Sequence, residues 1–161
     1  MTTSVRGFWR RHFLGLEFSI AIIATVAVFA WTENTHYLTN VLQGNRDAVY
    51  GTLASIEGVL LGLVIASVTI VLGFANAPQF AIVRGSQHYA TLWKVFTSAI
   101  RALGLATIAT FIALLLDRDG SHNLPAMLAC FGTSVWAGLR VWRVTWVLGL
   151  VIAVVVAPGA K

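Results

Sequence analysis

The segment Ala48–Gly73, AVYGTLASIEGVLLGLVIASVTIVLG, contains a single charged residue, Glu57, among 26 residues. A helix needs about 20 predominantly apolar residues to cross the hydrocarbon core of a bilayer. Placing a charged carboxylate at the centre of such a helix costs about 2.5–3.5 kcal/mol, so an acid found there is a candidate functional residue. The segment therefore predicts a membrane-spanning helix in which Glu57 has a specific role.

Three further apolar runs flank this segment, in a chain of 161 residues that is 58% hydrophobic and 11% charged. Soluble domains contain about 25% charged residues. The runs predict four spans, at roughly 13–32, 48–75, 92–116 and 124–144. Because the connections are short, we expect one transmembrane domain over residues 1–161, an all-α integral membrane four-helix bundle.

The last apolar run is longer than one span requires. It extends from Leu124 to Ala157, and a helix of that length would measure about 51 Å, against a hydrocarbon core of about 30 Å. Arg140 and Arg143 lie where a span that begins at Leu124 would reach the membrane surface. We therefore end the span at Val144 and expect residues 145–157 to form an apolar extension at the membrane or at an oligomer contact.

The distribution of basic residues predicts the orientation of the spans. With the amino terminus in the cytoplasm, nine basic residues fall on or near the cytoplasmic side and two on the other. The nine are Arg6, Arg10, Arg11, Arg84, Lys94, Arg101, Arg140, Arg143 and Lys161, and the two are Arg46 and Arg118. This positive-inside pattern predicts a multi-pass protein of the bacterial inner membrane with both termini in the cytoplasm. Topology accounts for the net charge of +5, so we expect lipid as a partner and not nucleic acid.

Small residues recur along one face of the second span. They are Gly51, Ser55, Gly58, Gly62, Ala66, Thr69 and Gly73, the small-residue face. At 100° per residue they fall within an arc of about 80°, and Glu57 projects about 140° away from it. Because small residues let helices approach closely in lipid, we expect this face to pack against one neighbour and Glu57 to face another surface.

Three environments for Glu57 fit this arrangement. The carboxyl group can form hydrogen bonds inside one chain, or it can line a water-filled pathway or a subunit interface. It can also lie near lipid as a neutral acid. The sequence leaves these alternatives open, so Glu57 is a candidate for either a pore residue or an interface residue.

Basic residues cluster at the cytoplasmic ends of the third and fourth spans. Lys94 and Arg101 share one helix face, and three interpretations fit them. They can extend to lipid phosphates, Arg101 can pair with Glu17 at a similar depth, or both can line a cationic vestibule. Arg140 and Arg143 lie among tryptophans, as is typical of the membrane interface.

The sequence contains no pattern typical of an enzyme. We find no nucleophile elbow, zinc-protease motif, phosphate-binding loop or paired catalytic carboxylates. No histidine or cysteine spacing fits a zinc site, and the single cysteine, Cys130, is predicted to be a small buried apolar residue. We therefore expect no enzymatic activity, no metal and no cofactor.

Two runs of the chain resemble the RexB family, the small four-helix membrane proteins of the lambda-phage Rex exclusion system. They are Val49–Gly58, VYGTLASIEG, and Leu63–Gly73, LVIASVTIVLG. The likeness covers roughly residues 49–101. It depends on Gly51, Thr52, Leu53, Ser55, Gly58, Ala66, Thr69 and Gly73, with Arg84, Gly85 and Tyr89 in a similar layout. The resemblance implies an ion channel that depolarises the host membrane when a partner sensor detects a superinfecting phage. Glu57 is not part of the shared pattern.

Together these features predict a small oligomeric inner-membrane protein that forms or gates an ion-conducting path. The resemblance implies a prophage-encoded effector of phage exclusion, or abortive infection, with a soluble sensor protein as a partner. Four helices leave little room for a pore at their own axis, so a conducting form needs several copies. The alternative is a non-conducting scaffold or assembly subunit in which Glu57 stabilises a helix interface.

Overall fold

The structure is a computed structural model that describes residues 15, 17–31, 44–73, 85, 89–117 and 123–156. These residues form four α-helices: α1, Glu17–Trp31; α2, Arg46–Gly73; α3, Tyr89–Leu116; and α4, Leu124–Val156. The prediction of an all-helical chain with four helices is confirmed for the described residues. Three helices, α2, α3 and α4, are long and apolar enough to cross a membrane, and α1 is a shorter apolar helix.

The third helix lies at the centre of the bundle. It packs along α2 on one side and along α4 on the other, whereas α2 and α4 meet at few points. On the far side of α4, Gly132 lies against Thr25 of α1. A Cβ atom at position 132 would lie 3.0 Å from Thr25 Oγ1, so a larger residue would displace the threonine. The helices are thus ordered α2, α3, α4, α1 across the bundle.

Small side chains explain the central position of α3. Ala99, Ala102, Ala106 and Ala113 recur at intervals of three, four and seven residues, and all are fully buried. This spacing places them along the helix surface that its neighbours cover, and small residues there allow close approach of two further backbones. The main apolar core forms around the first three alanines, with Val64 and Val71 of α2, Phe96 and Leu103 of α3, and Val144 of α4.

The fourth helix begins at a capped end and continues without a break. The side-chain oxygen of Asn123 accepts a hydrogen bond from the N–H of Ala126 at 3.2 Å, which is the usual N-cap geometry. Pro125 occupies the first turn, where a backbone N–H would have no acceptor within the helix. The absence of an N–H in proline therefore removes no helical hydrogen bond. The helix then runs to Val156, so no break separates the predicted span, 124–144, from the predicted extension at 145–157.

Large apolar side chains cover the outside of the bundle. Val59 and Leu63 of α2 and Leu115 of α3 are 71%, 61% and 64% exposed. Soluble monomers rarely expose contiguous apolar surface on this scale. Together with the three helices of spanning length, this surface suggests a membrane protein.

Candidate functional site

The carboxyl group of Glu57 lies inside the bundle, between α3 and α4. The hydroxyl of Thr110 donates a hydrogen bond to Glu57 Oε2 at 2.9 Å, and Ser134 Oγ lies 2.6 Å from Oε1. Only 4% of Glu57 is exposed. Of the three environments that fit the sequence, the geometry is that of hydrogen bonds within one chain.

Cys130 completes this group of side chains, which we call the Glu57 cluster: Glu57, Thr110, Cys130 and Ser134. Its Sγ lies 3.4 Å from Thr110 Oγ1, and its backbone carbonyl accepts a hydrogen bond from the Ser134 hydroxyl at 2.8 Å. The thiol is fully buried, as the sequence predicted for a small apolar residue. These polar contacts link α2, α3 and α4 at one level of the bundle. A buried carboxyl group without hydrogen-bond partners there would destabilise the folded protein.

Apolar packing closes the Glu57 cluster on both sides. Tyr50, Glu57, Val64 and Val71 are buried and spaced by seven residues, so they follow one face of α2. Val64 and Val71 belong to the main apolar core, while Tyr50 packs with Ala113, Ala126 and Cys130 in a smaller one. The carboxyl group is therefore held in a short polar layer between two apolar layers, which is the geometry of an interhelical contact.

The small-residue face of α2 points away from the bundle. Gly51 is half-buried and the other six members are exposed. A Cβ atom at Gly58 or Gly62 would meet nothing within 4 Å. The described helices of this chain therefore do not supply the close neighbour that the sequence predicts for this face.

A second polar group, which is not among the sites predicted from the sequence, surrounds Asp117 at the opposite end of α3 from Tyr89. We call it the Asp117 cluster: Arg46, Tyr50, Asp117 and Asn123. Arg46 Nη1 lies 2.6 Å from Asp117 Oδ1, and the Tyr50 hydroxyl donates to Oδ2 at 2.5 Å. The backbone N–H of Asn123 donates to Oδ1 at 2.7 Å. Asp117 is fully buried, so this carboxylate joins the start of α2, the end of α3 and the start of α4.

A third polar group, the Glu17 cluster, joins α1 to α4. Glu17 Oε2 lies 3.1 Å from Arg140 Nε, and Oε1 lies 3.3 Å from Arg143 Nη1. The guanidinium carbon of Arg140 also lies 5.6 Å from the ring centroid of Trp136, a cation–π contact. The predicted pair of Glu17 with Arg101 is not formed, because α1 packs against α4 while Arg101 lies on an exposed part of α3.

The four predicted cytoplasmic cations thus divide into two environments. Arg140 and Arg143 contact Glu17, whereas Lys94 and Arg101 are exposed on α3. Among the described residues, no group of three histidine, cysteine, aspartate or glutamate side chains is placed to hold a metal ion. The buried carboxyl groups of Glu57 and Asp117 contact hydroxyl, N–H and guanidinium groups, which suits interhelical contacts.

The chain was compared with family models, with curated proteins and with solved structures, and none of them matches it.

Proposed function

We propose that this chain is a membrane-embedded subunit of an assembly of identical copies. The observation that carries the proposal is the position of α2, whose Glu57 side is bound into its own bundle while its small-residue face is left exposed by the other described helices. Glycine-rich helix faces gain little from contact with lipid chains and allow close packing with another helix. A second copy of the same face would supply the missing neighbour.

The distribution of charge supports the orientation that the sequence predicts. Lys94, Arg101, Arg140 and Arg143 lie at the same end of the bundle, whereas Arg46 lies at the Asp117 end. A cytoplasmic excess of arginine and lysine is the rule for inner-membrane proteins. We therefore propose that the Glu17 end is cytoplasmic and that the protein resides in a bacterial inner membrane.

Replacing Gly62 by leucine tests the proposed association. The variant is expected to fold, because the added side chain has free space in one chain. It is expected to associate at least about tenfold more weakly, which corresponds to 1.4 kcal/mol, since leucine keeps the backbones apart. Energy transfer between labelled copies, measured as the protein is diluted in liposomes, gives the dissociation constant.

Gly138→Leu is the matched control for this substitution. Gly138 is also an exposed helical glycine with nothing within 4 Å of its Cβ position, but it lies on α4. This control is expected to associate like wild type. If Gly62→Leu and Gly138→Leu both associated as tightly as wild type, the small-residue face would not form the proposed interface.

The second candidate function is ion conduction between copies, as the resemblance to RexB implies. It is favoured by the exposed hydroxyl-bearing residues Ser55 and Thr69, which give the small-residue face polar atoms as well as glycines. In this arrangement the path runs between subunits, because apolar layers close the bundle interior around Glu57. The same resemblance implies a role in phage exclusion, with a soluble sensor as trigger.

Liposomes that hold a potassium diffusion potential set by valinomycin separate conduction from a purely structural assembly. Wild-type protein that conducts is expected to dissipate the diffusion potential, as read by a potential-sensitive dye, and Gly62→Leu is expected to preserve it. If wild-type protein associates but the potential persists at every voltage tested, the non-conducting assembly subunit is the remaining function.

A further inference from the structure

A groove of about 520 Å³ lies along α3 at the end of the bundle opposite Asp117. It is lined by Trp93, Lys94, Thr97, Ser98 and Arg101 of α3 and by Trp136 of α4. Lys94 and Arg101 are seven residues apart, so they lie on one face with Thr97 and Ser98 between them. The groove thus combines two cations and two hydroxyl groups between aromatic side chains.

The two cations of the groove have no acidic partner among the described residues. Glu17 contacts Arg140 and Arg143, and Asp117 contacts Arg46. Neither Lys94 nor Arg101 forms an ion pair within the described part of the chain, and both side chains are exposed. Their N–H groups are therefore available to an anion from outside the bundle.

The two hydroxyl groups are also available. Most helical serines and threonines here donate to the carbonyl oxygen four residues earlier, as Ser55 does to Gly51 and Thr69 to Ile65. Thr97 and Ser98 form no hydrogen bond with any described residue. The groove consequently presents ammonium, guanidinium and hydroxyl donors together, with no carboxylate among its described lining residues. Such donors suit phosphate oxygens.

Aromatic contacts hold the two tryptophans of the groove in place. The ring of Trp93 makes an edge contact with Tyr89, with centroids 5.8 Å apart, and Trp136 makes one with Phe18 at 5.9 Å. Tryptophan is enriched where a membrane helix meets the headgroup layer. Counting a hydrocarbon core of about 30 Å back from Leu116 places Thr97 near the opposite surface of the bilayer.

We propose that this groove binds the phosphate of an anionic phospholipid headgroup. The inference rests on the proposed function only in requiring that the protein resides in a bilayer. Lys94 and Arg101 supply the charge, Thr97 and Ser98 supply further donors, and the tryptophan rings flank the glycerol region. A free phosphate has the same chemistry, but the depth of the groove at the headgroup layer favours the lipid.

Native mass spectrometry of the full chain in an uncharged detergent tests the proposal. Wild type is offered equal amounts of phosphatidylglycerol and phosphatidylcholine and is expected to retain the anionic lipid preferentially. Each basic residue near a membrane surface strengthens binding of anionic lipid about fivefold, so Lys94→Gln with Arg101→Gln is expected to weaken retention about 25-fold. Both residues are exposed, so the helical circular dichroism is expected to be unchanged.

Lys94→Arg with Arg101→Lys is the matched control, because it replaces the same two side chains but keeps both positive charges in the groove. This control is expected to retain phosphatidylglycerol as wild type does. Equal retention by wild type and by the variant with both glutamines would overturn the proposed site. That outcome would leave membrane residence and self-association intact, since the Gly62→Leu comparison measures association separately.

Inorganic phosphate distinguishes the two sources of the ligand. Added at the same concentration as the lipid, it is expected to leave phosphatidylglycerol bound to wild type. If phosphate instead displaces the lipid and binds in a manner that depends on Lys94 and Arg101, the ligand is a soluble phosphate and the assignment to a lipid headgroup is wrong.

Discussion

Replacing Asp117 by asparagine is expected to lower the free energy of unfolding by about 3–5 kcal/mol, the usual cost of removing one partner from a buried ion pair. The Arg46 side chain is 7% exposed and lies 2.6 Å from the carboxylate. Asparagine preserves the shape of the side chain but removes the negative charge that lies against the buried Arg46 guanidinium. The Tyr50 hydroxyl would at the same time lose an anionic acceptor. Reversible unfolding in mixed detergent micelles, followed by circular dichroism, measures the loss.

Two comparisons isolate the buried pair in this measurement. Asp47→Asn makes the same chemical change at an exposed position one residue from Arg46, and it is expected to change stability by less than about 0.5 kcal/mol. Arg46→Met combined with Asp117→Asn is expected to recover part of the loss, because it also removes the buried guanidinium that Asp117 contacts in the wild type. If Asp117→Asn were no more destabilising than Asp47→Asn, the Asp117 cluster would not be a structural junction.

Replacing Glu57 by alanine is expected to cost about 2–4 kcal/mol, whereas glutamine is expected to stay within about 1 kcal/mol of wild type. Alanine leaves a cavity where α2, α3 and α4 meet and removes the partner of Thr110 and Ser134. Glutamine fills the same volume, and its carbonyl can accept from Thr110 while its amide donates to Ser134. The same micelle unfolding assay applies to both variants.

Leu63→Ala is the control for shortening a side chain of α2 at a position that is 61% exposed, and it is expected to cost less than Glu57→Ala. Interhelical hydrogen bonds within membranes contribute about 0.6 kcal/mol on average and up to about 1.7. A loss for Glu57→Gln as large as that for Glu57→Ala would show that a carboxylate itself is required. It would contradict the interpretation of this contact as packing and neutral hydrogen bonds.

An all-helical chain with four helices could be predicted from the sequence because the length of an apolar run is a local property of the chain. The predicted spans at 48–75 and 92–116 correspond to α2 and α3, which begin two or three residues earlier. The angle between Glu57 and the small-residue face also follows from helix geometry alone. Helix geometry does not determine which of these two faces turns toward the bundle, because both Glu57 and a row of glycines favour contact with protein over contact with lipid.

The partners of the buried charged residues could not all be predicted without knowing the order of the helices across the bundle. Glu17 has three basic residues at a similar predicted depth, Arg101, Arg140 and Arg143, and depth alone does not distinguish them. Packing of α1 on α4 selects the two arginines of α4. The Arg46–Asp117 pair could have been predicted from the sequence. The two residues have opposite charges and lie at the same predicted membrane surface, at the ends of consecutive spans.

Disulfide cross-linking of cysteines introduced one at a time along α2, in a chain whose Cys130 is replaced by alanine, tests in native membranes most directly how this helix is oriented. If Glu57 is bound within its own bundle and the small-residue face meets a second copy, Gly58→Cys, Gly62→Cys and Thr69→Cys are expected to yield covalent dimers. Val64→Cys and Val71→Cys, on the buried face, are expected to yield none. Dimers formed through positions 64 and 71, or no dimers at 58, 62 and 69, would contradict this orientation and the assembly built on it.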